Sequence, residues 1–136
     1  MIVCDTGVLV GAADADDAHH SACVEVFARH GDELIVPASV VVEACWLLAR
    51  FVSVDSEAHL LESVAAGTLA VEPLVAVDYD RAAALVRPYA DLGLGVVDAT
   101  VVAVAECLRV TELATLDHRD FSVVRPAHTA AFTLLP

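Results

Sequence analysis

The chain begins MIVCDTGVLV (residues 1–10), and Asp5 is the only charged residue before position 14. Residues 2–4 form a continuous apolar run, typical of a short strand that is buried on both faces of a parallel sheet. We predict that this strand ends at Asp5. A carboxylate in such surroundings is costly to bury unless it is hydrogen-bonded, paired with a cationic group or bound to a metal. Asp5 is therefore a candidate functional residue at the end of a core strand.

Short apolar segments alternate with longer helical patterns along the rest of the chain. Helices are predicted at 19–30, from an N-cap at Ser39 to about Phe51, from a cap at Asp55 to Gly67, from Asp78 to Arg87, and from Asp98 to about Arg109. Further strands are predicted at 34–36, 112–116 and 123–125, with an extended segment at 69–72. The alternation predicts an α/β fold with three layers, α/β/α, around a central, mostly parallel sheet. We expect a single domain over residues 1–136.

The composition is that of a small, apolar and strongly acidic domain. Of 136 residues, 58% are hydrophobic and only 5% aromatic, which provides enough aliphatic mass for a sizeable core and excludes a disordered chain. Asp and Glu total 20 against 7 basic residues, all of them Arg, so the net charge is −13. This balance argues against a protein that binds nucleic acid through a basic surface.

The sequence also bears on the compartment. It has no run of about 18 uncharged apolar residues, and the first apolar run ends at Asp5 with no basic segment before it. The four cysteines are scattered singly, without zinc-type spacing. We therefore expect a cytoplasmic protein with reduced cysteines and no membrane contact.

Four of the twenty acidic residues lie within or directly after apolar segments. Two follow predicted strands, one begins a helix that would pack on the sheet, and one lies about a turn into the helix after the second strand. Because the carboxyl ends of parallel strands share one edge with the N-termini of the following helices, we expect all four in one crevice. They are Asp5, Glu43, Asp98 and Asp117.

Three of the four acids also have a structural explanation to be weighed. Asp98 would serve as a helix N-cap, Asp5 as a turn former before Gly7, and Asp117 as an Asx-turn residue. Glu43 has no such role in a helix interior. Four carboxylates in one crevice repel each other, so they must take up protons or bind a cation. Oxygen ligands without His or Cys suit Mg²⁺ or Mn²⁺, and acidic sites of that kind are typical of phosphodiester hydrolysis.

Taken in order, the segments that hold these acids resemble the motifs of PIN-domain nucleases, and among them the VapC toxins of prokaryotic toxin–antitoxin pairs. The resemblance covers nearly the whole chain and implies that the four acids are catalytic. Asp5, Asp98 and Asp117 would hold one or two metal ions, while Glu43 would bind the metal or orient the attacking water. The segments are MIVCDTGVLV (1–10), PASVVVEACWLL (37–48), VVDATVVAVAE (96–106) and LATLDHRDF (113–121).

The resemblance implies supporting roles for other residues of the same motifs. Thr6 and Thr115 are similar to the hydroxyl residues that steady the site or its water. Asp120 competes with Asp117 as the fourth acid, and we favour Asp117 because it follows the predicted strand directly. His118 and Arg119 in the fourth motif are candidate RNA contacts, although a solvated turn would also explain them. Basic residues are otherwise sparse in the motifs.

By the same resemblance, we expect a Mg²⁺- or Mn²⁺-dependent endoribonuclease that acts as a toxin. A cognate VapB-type antitoxin would block the crevice, and the protein would be a homodimer. The alternative is a catalytically inactive PIN-like domain with a binding or structural role, against which the presence of all four acids argues. A purely structural acidic α/β domain would show no response to metal. A receiver-like phosphoacceptor domain needs a lysine, and the chain has none. A haloacid-type phosphatase needs a second Asp two residues after the first, where this chain has Gly7.

Overall fold

The computed structural model describes all residues from 1 to 136 and centres on one sheet. Its strands, in chain order, are β1 (Ile2–Cys4), β2 (Leu34–Pro37), β3 (Ala70–Glu72), β4 (Glu112–Ala114) and β5 (Thr133–Leu135). They lie in the order β3-β2-β1-β4-β5, and every neighbouring pair is parallel. The prediction of a central parallel sheet is confirmed.

Seven helices flank this sheet and complete the three layers. They are α1 (Thr6–Ala13), α2 (His20–His30), α3 (Ala38–Phe51), α4 (Val54–Ala65), α5 (Ala76–Val86), α6 (Val96–Leu108) and α7 (His118–Val123). Two single 3₁₀ turns lie at Gly31–Glu33 and Ala90–Leu92. None of the helices is both long enough and apolar enough to cross a bilayer.

The core lies where the central strands meet α6. All three residues of β1 are at most 1% exposed, which explains why this strand shows no alternation of polar and apolar residues. The seven consecutive residues Ala99–Ala105 of α6 are also buried. From β1 the chain passes to β2 on one side, and β4 lies on the other. The carboxyl ends of β1 and β4 therefore border the crevice in which open α/β sheets bind ligands.

Helix α1 was not predicted, because its sequence TGVLVGAA is apolar around its whole circumference and shows no amphipathic period. Asp5 is its N-cap, with extended backbone and a side chain that accepts a hydrogen bond from Thr6 N. A Cβ atom at Gly11 would lie 2.8 Å from Cys23 Sγ. Glycine at this position therefore allows α1 to approach α2 closely, and a larger residue would force Cys23 Sγ to shift.

Two predicted features of the C-terminal region are wrong. The strand expected at 123–125 does not form, because Asp117 caps a short helix that occupies His118–Val123 instead. The strand expected at 112–116 ends at Ala114. The last strand is β5, which completes the sheet beside β4 and leaves Thr115 N donating to Leu135 O at 2.7 Å.

Two predicted N-caps are also displaced. Helix α3 begins at Ala38, so Ser39 lies inside its first turn. Helix α4 is capped by Ser53, whose Oγ accepts a hydrogen bond from Ser56 N at 3.0 Å, and Asp55 follows inside the helix. At α4 several Ser and Asp residues meet the same capping preference, whereas α3 begins after Pro37, which makes no side-chain capping bond.

Candidate active site

Asp5 joins the two central strands at the edge of the sheet. Its backbone N donates to Ala114 O at 2.8 Å. Its side chain, 6% exposed, accepts hydrogen bonds from Thr6 N at 2.7 Å and from Thr115 Oγ1 at 2.8 Å. One bond reaches each carboxylate oxygen, so the orientation of Asp5 is set from both the β1 side and the β4 side.

Glu43 reaches the same edge from α3. Thr6 Oγ1 donates to Glu43 Oε2 at 2.6 Å, and the glutamate is half-buried. Thr6 therefore contacts Asp5 through its backbone and Glu43 through its hydroxyl. A single charged residue inside an apolar helix has no capping role. Here the Glu43 carboxylate points to the end of β1, next to Asp5.

Asp98 is the third residue of α6 rather than its N-cap, which corrects the capping alternative derived from the sequence. Its Oδ2 accepts a hydrogen bond from Gly95 N at 3.0 Å, the reciprocal bond of a capping box. The side chain is half-buried. This bond accounts for one carboxylate oxygen and leaves the other free to face the crevice.

Thr115 connects the fourth motif to Asp5. While it donates to Asp5, its Oγ1 accepts from Asp117 N at 3.0 Å. Asp117 is exposed and caps α7, because its Oδ1 accepts a hydrogen bond from Asp120 N at 2.9 Å. The side chain of Asp120 is only 14% exposed, with Arg119 Nε 3.8 Å from it. Both acids of the LDHRDF segment thus lie at the crevice.

Two of the acids, Asp5 and Asp98, have a raised pKa. Burial is the main reason that the pKa of Asp5 is raised from an ordinary 3.8 to about 6; Asp98 and Glu43 add to it, while the bonds from Thr115 and Thr6 oppose it. The pKa of Asp98 is raised as well, first by burial and then by the charges of three neighbouring acids, against the bond from Gly95. Those neighbours are Glu43, Asp117 and Asp120.

A divalent cation fits the donor set. All the ligand atoms are carboxylate or hydroxyl oxygens, which suits Mg²⁺ or Mn²⁺. Burial is the main cause of the raised pKa of Asp5, and the charges of Asp98 and Glu43, which a cation would offset, add to it. No three His, Cys, Asp or Glu side chains are gathered tightly enough to ligate one ion as they stand. Because like charges repel, binding requires the carboxylates to move together around the ion.

The two candidate RNA contacts lie at the rim of the crevice, in the first turn of α7. Both are exposed, and the Arg119 side chain retains 81% of its accessible surface.

The crevice continues into an apolar groove of about 740 Å³ between α3, α5 and the start of α6. Its walls include Val42, Glu43, Trp46, Tyr79 and Val96. Sequence reasoning missed this groove, because exposed and buried apolar residues look the same in an apolar helix.

The parallel sheet lies between two layers of helices, and threonine hydroxyls fix carboxylates at its carboxyl edge, between β1 and β4. These features define an α/β/α domain with an acidic crevice. Comparison with known proteins gives its family. Residues 2–125 match the PIN domain model, and the chain belongs to that family. It is 34% identical over 135 residues to Ribonuclease VapC26 of Mycobacterium tuberculosis, and the alignment covers 99% of this chain and 100% of that protein. The resemblance inferred from the motifs is therefore confirmed.

Solved structures share the fold. The crystal structure of VapC20 from Mycobacterium tuberculosis, a sarcin–ricin loop cleaving toxin, superposes with a TM-score of 0.82 at 20% identity, over 88% of this chain and 92% of that one. VapBC2 from Rickettsia felis, bound to a DNA fragment from its promoter, gives a TM-score of 0.70 at 14% identity, over the whole of both chains. The predicted three-layer architecture is confirmed by these likenesses.

Proposed function

We propose that this chain is a metal-dependent endoribonuclease and the toxin of a VapBC-type toxin–antitoxin module. The observation that carries the proposal is the buried Asp5 carboxylate, fixed by Thr6 and Thr115 beside Glu43 and the electrostatically coupled Asp98. The 34% identity to a ribonuclease over nearly the full length of both chains supports the same activity.

Asp5, Asp98 and Asp117 would hold the cation, Mg²⁺ or Mn²⁺. When bound, the cation supplies polarisation of the phosphate, activation of the attacking water and neutralisation of charge on the leaving oxygen. Glu43, held by Thr6, orients the attacking water from the α3 side. Thr115 keeps Asp5 facing the crevice and at the same time fixes the backbone of Asp117.

The charge of the chain determines how RNA can bind. At −13, the protein repels a polyanion at long range, so tight nonspecific binding is not expected. The cation offsets the central acids, and His118 and Arg119 at the rim contact the RNA backbone. RNA binding is therefore weak, selective and dependent on the metal.

Cleavage of RNA by the purified chain tests the function directly. We expect cleavage with Mg²⁺ or Mn²⁺, and its loss when EDTA removes the metal. An inactive PIN-like binding domain would cut in neither buffer. Cleavage that continues undiminished in EDTA would contradict the metal-dependent reaction.

The fourth acid can be identified by two matched variants. Asp117→Asn preserves helix α7, because Asn is as good an N-cap as Asp, yet removes a charge that faces Asp98. We expect Asp117→Asn to lower cleavage by about 100-fold or more, and Asp120→Asn to lower it far less. Cleavage rates at saturating Mn²⁺ compare the two variants. The reverse order would make Asp120 the fourth ligand.

We propose a cognate VapB-type antitoxin that covers the acidic crevice. Three structural neighbours support this partner: a toxin–antitoxin complex from Klebsiella pneumoniae, VapBC2 from Rickettsia felis, and FitAcB from Neisseria gonorrhoeae. A basic, Arg-containing segment would complement the −13 chain and its acids. We place the protein in the cytoplasm, where RNA is available and where its four free cysteines stay reduced.

We propose a homodimer formed through the apolar groove. Large apolar side chains on its walls are exposed: 71% for Val42, 60% for Trp46, 57% for Tyr79 and 65% for Val96. Glu43 is the only charged residue among the groove's lining residues. Two chains of charge −13 repel each other, so an almost uncharged apolar surface is where a second copy can approach.

Trp46→Arg tests this interface, because it places a charge where apolar surface would be buried. We expect the wild-type chain to have the mass of a dimer in light scattering and the variant that of a monomer. Leu61→Arg is the matched control, since Leu61 is 50% exposed on α4 and does not line the groove. A monomeric wild type, or equal dissociation by both variants, would contradict the interface.

A further inference from the structure

A hydrogen bond joins the two helices that carry Glu43 and Asp98. Ser39 Oγ on α3 lies 2.6 Å from Thr100 Oγ1 on α6. Thr100 is 1% exposed and Ser39 is half-buried, and both residues line the apolar groove between α3, α5 and the start of α6. Neither residue contacts Asp5 or belongs to the predicted site. Sequence analysis assigned Ser39 only a capping role, which the structure shows to be wrong.

The direction of this bond follows from the number of hydrogens. Thr100 Oγ1 also lies 2.7 Å from Val97 O, which can only accept. A hydroxyl has one hydrogen, so Thr100 donates to Val97 O, and Ser39 must donate to Thr100. The chain of bonds therefore runs from α3 to the carbonyl of the peptide bond between Val97 and Asp98. We call this arrangement the hydroxyl clasp.

The clasp lies beside two acids that repel each other. Ser39 precedes Glu43 by four residues, so the two side chains lie on the same face of α3. Val97 directly precedes Asp98 in the first turn of α6. Glu43, Val97 and Thr100 line the same groove, so the segments that carry the two acids are neighbours, and the charge of Glu43 contributes to the raised pKa of Asp98. Their repulsion pushes the helix ends apart, and the clasp resists that separation.

We propose that Ser39 and Thr100 are positioning residues, whose hydroxyl clasp holds the segments of Glu43 and Asp98 close enough for the carboxylates of the acidic crevice to gather around a divalent cation. The inference rests on the proposed metal-dependent function and adds to it two hydroxyl residues of the second and third motifs that have no assigned role so far. Outer hydrogen bonds that hold ligand-bearing elements change metal affinity by about 10-fold or more when they are removed.

Four variants separate positioning from packing. Thr100→Val removes the hydroxyl at nearly constant shape, whereas Thr100→Ser retains it. Ser39→Ala removes the donor but leaves the bond from Thr100 to Val97 O intact. Ser63→Ala is the control, because Ser63 Oγ donates to His59 O within α4 and joins no second helix. The probe is Mn²⁺ alone, with free Mn²⁺ measured by electron paramagnetic resonance, beside the melting temperature and the RNA cleavage constants.

We expect Ser39→Ala and Thr100→Val each to weaken Mn²⁺ binding by about 10-fold. The double variant should lose little more, because both changes break one bond. Cleavage should then require more Mn²⁺, with kcat at saturating Mn²⁺ much less affected. Thr100→Ser and Ser63→Ala should bind Mn²⁺ as the wild type does. If Thr100→Val fails to fold, the Mn²⁺ affinity of Ser39→Ala tests the clasp instead. That variant should fold, since position 39 is half-buried and alanine has no side-chain polar group that needs a hydrogen-bond partner.

Unchanged Mn²⁺ affinity in folded Ser39→Ala and Thr100→Val would overturn the clasp. A fall in melting temperature without a change in affinity would assign the two hydroxyls to packing alone and would overturn it equally. If the wild type binds Mn²⁺ but cuts no RNA, the ribonuclease proposal fails while the affinity comparison still decides the clasp. A wild type that binds no Mn²⁺ would overturn both.

Discussion

Asp98→Asn is expected to abolish metal-dependent RNA cleavage while the protein stays folded. The amide oxygen of Asn can still accept the hydrogen bond that Gly95 N donates at 3.0 Å, so the first turn of α6 is preserved. What disappears is one negative charge at the proposed cation site. Because metal stabilisation of the transition state is worth several kcal/mol, we expect a loss of about 1,000-fold or more in cleavage rate.

The stability of Asp98→Asn should equal or exceed that of the wild type without metal. The pKa of Asp98 is raised by burial and by neighbouring acids, which means that its charged form is disfavoured in the folded chain. Removing that charge relieves the repulsion. Thermal melting in EDTA measures this effect, and cleavage in Mn²⁺ measures the loss of function.

Asp78→Asn is the matched control for Asp98→Asn. Asp78 occupies the same third position in α5, where its Oδ2 accepts from Val75 N at 2.9 Å. It is 4% exposed but takes no part in the acidic crevice. Asp78→Asn should therefore cut RNA as the wild type does. If Asp98→Asn also cuts at that rate, the catalytic site lies elsewhere.

Isolated charges were the most informative feature of the sequence. Asp5 and Glu43 were recognisable because no other charge lies near them in their apolar segments, and the structure brings both to one strand end through Thr6. Strand β1 was predictable for the same physical reason, since a strand covered on both faces must be apolar throughout. The parallel order of the sheet followed from the alternation of strands and helices.

Two helices and one contact were not predicted. Helix α1 lacks an amphipathic period, and the sequence of α7 also allows another interpretation. Helix α1 is buried on most sides, so its helical repeat is invisible in the sequence. Helix α7 is one and a half turns long, and Asp117 was interpreted as the end of a strand although it also meets the preference for an N-cap. The Ser39–Thr100 clasp joins residues 61 positions apart, and no local pattern predicts such a contact.

Asp5→Asn should stabilise the metal-free protein at neutral pH and remove part of its pH dependence. The pKa of Asp5 is about 6 in the folded chain, against an ordinary 3.8. Below about pH 4 the carboxyl is protonated whether the chain is folded or not. Between about pH 4 and pH 6 the folded chain keeps on Asp5 a proton that the unfolded chain has lost. The free energy of unfolding therefore falls as the pH rises through this range. At 1.36 kcal/mol per pKa unit, the full effect is about 3 kcal/mol at pH 7.

Denaturant unfolding in EDTA at a series of pH values measures this contribution as the difference between wild type and Asp5→Asn. The variant should be the more stable above pH 6, with the difference shrinking towards pH 4. Thr115→Val should act in the opposite direction, because the bond from Thr115 lowers the pKa of Asp5 and its loss extends the titration to higher pH. A constant difference between wild type and Asp5→Asn across this range would show that Asp5 is already ionised at pH 4.

Metal should reverse the order of stability, because the charge of Asp5 that destabilises the metal-free protein is the charge that would bind the proposed cation. A ligand that binds only the folded state raises the free energy of unfolding in proportion to the logarithm of its concentration over its dissociation constant. Added Mn²⁺ should therefore stabilise the wild type at pH 7 and much less at pH 5, where a proton competes for Asp5. Asp5→Asn should gain little at either pH. Equal stabilisation of both proteins by Mn²⁺ would place the cation away from Asp5.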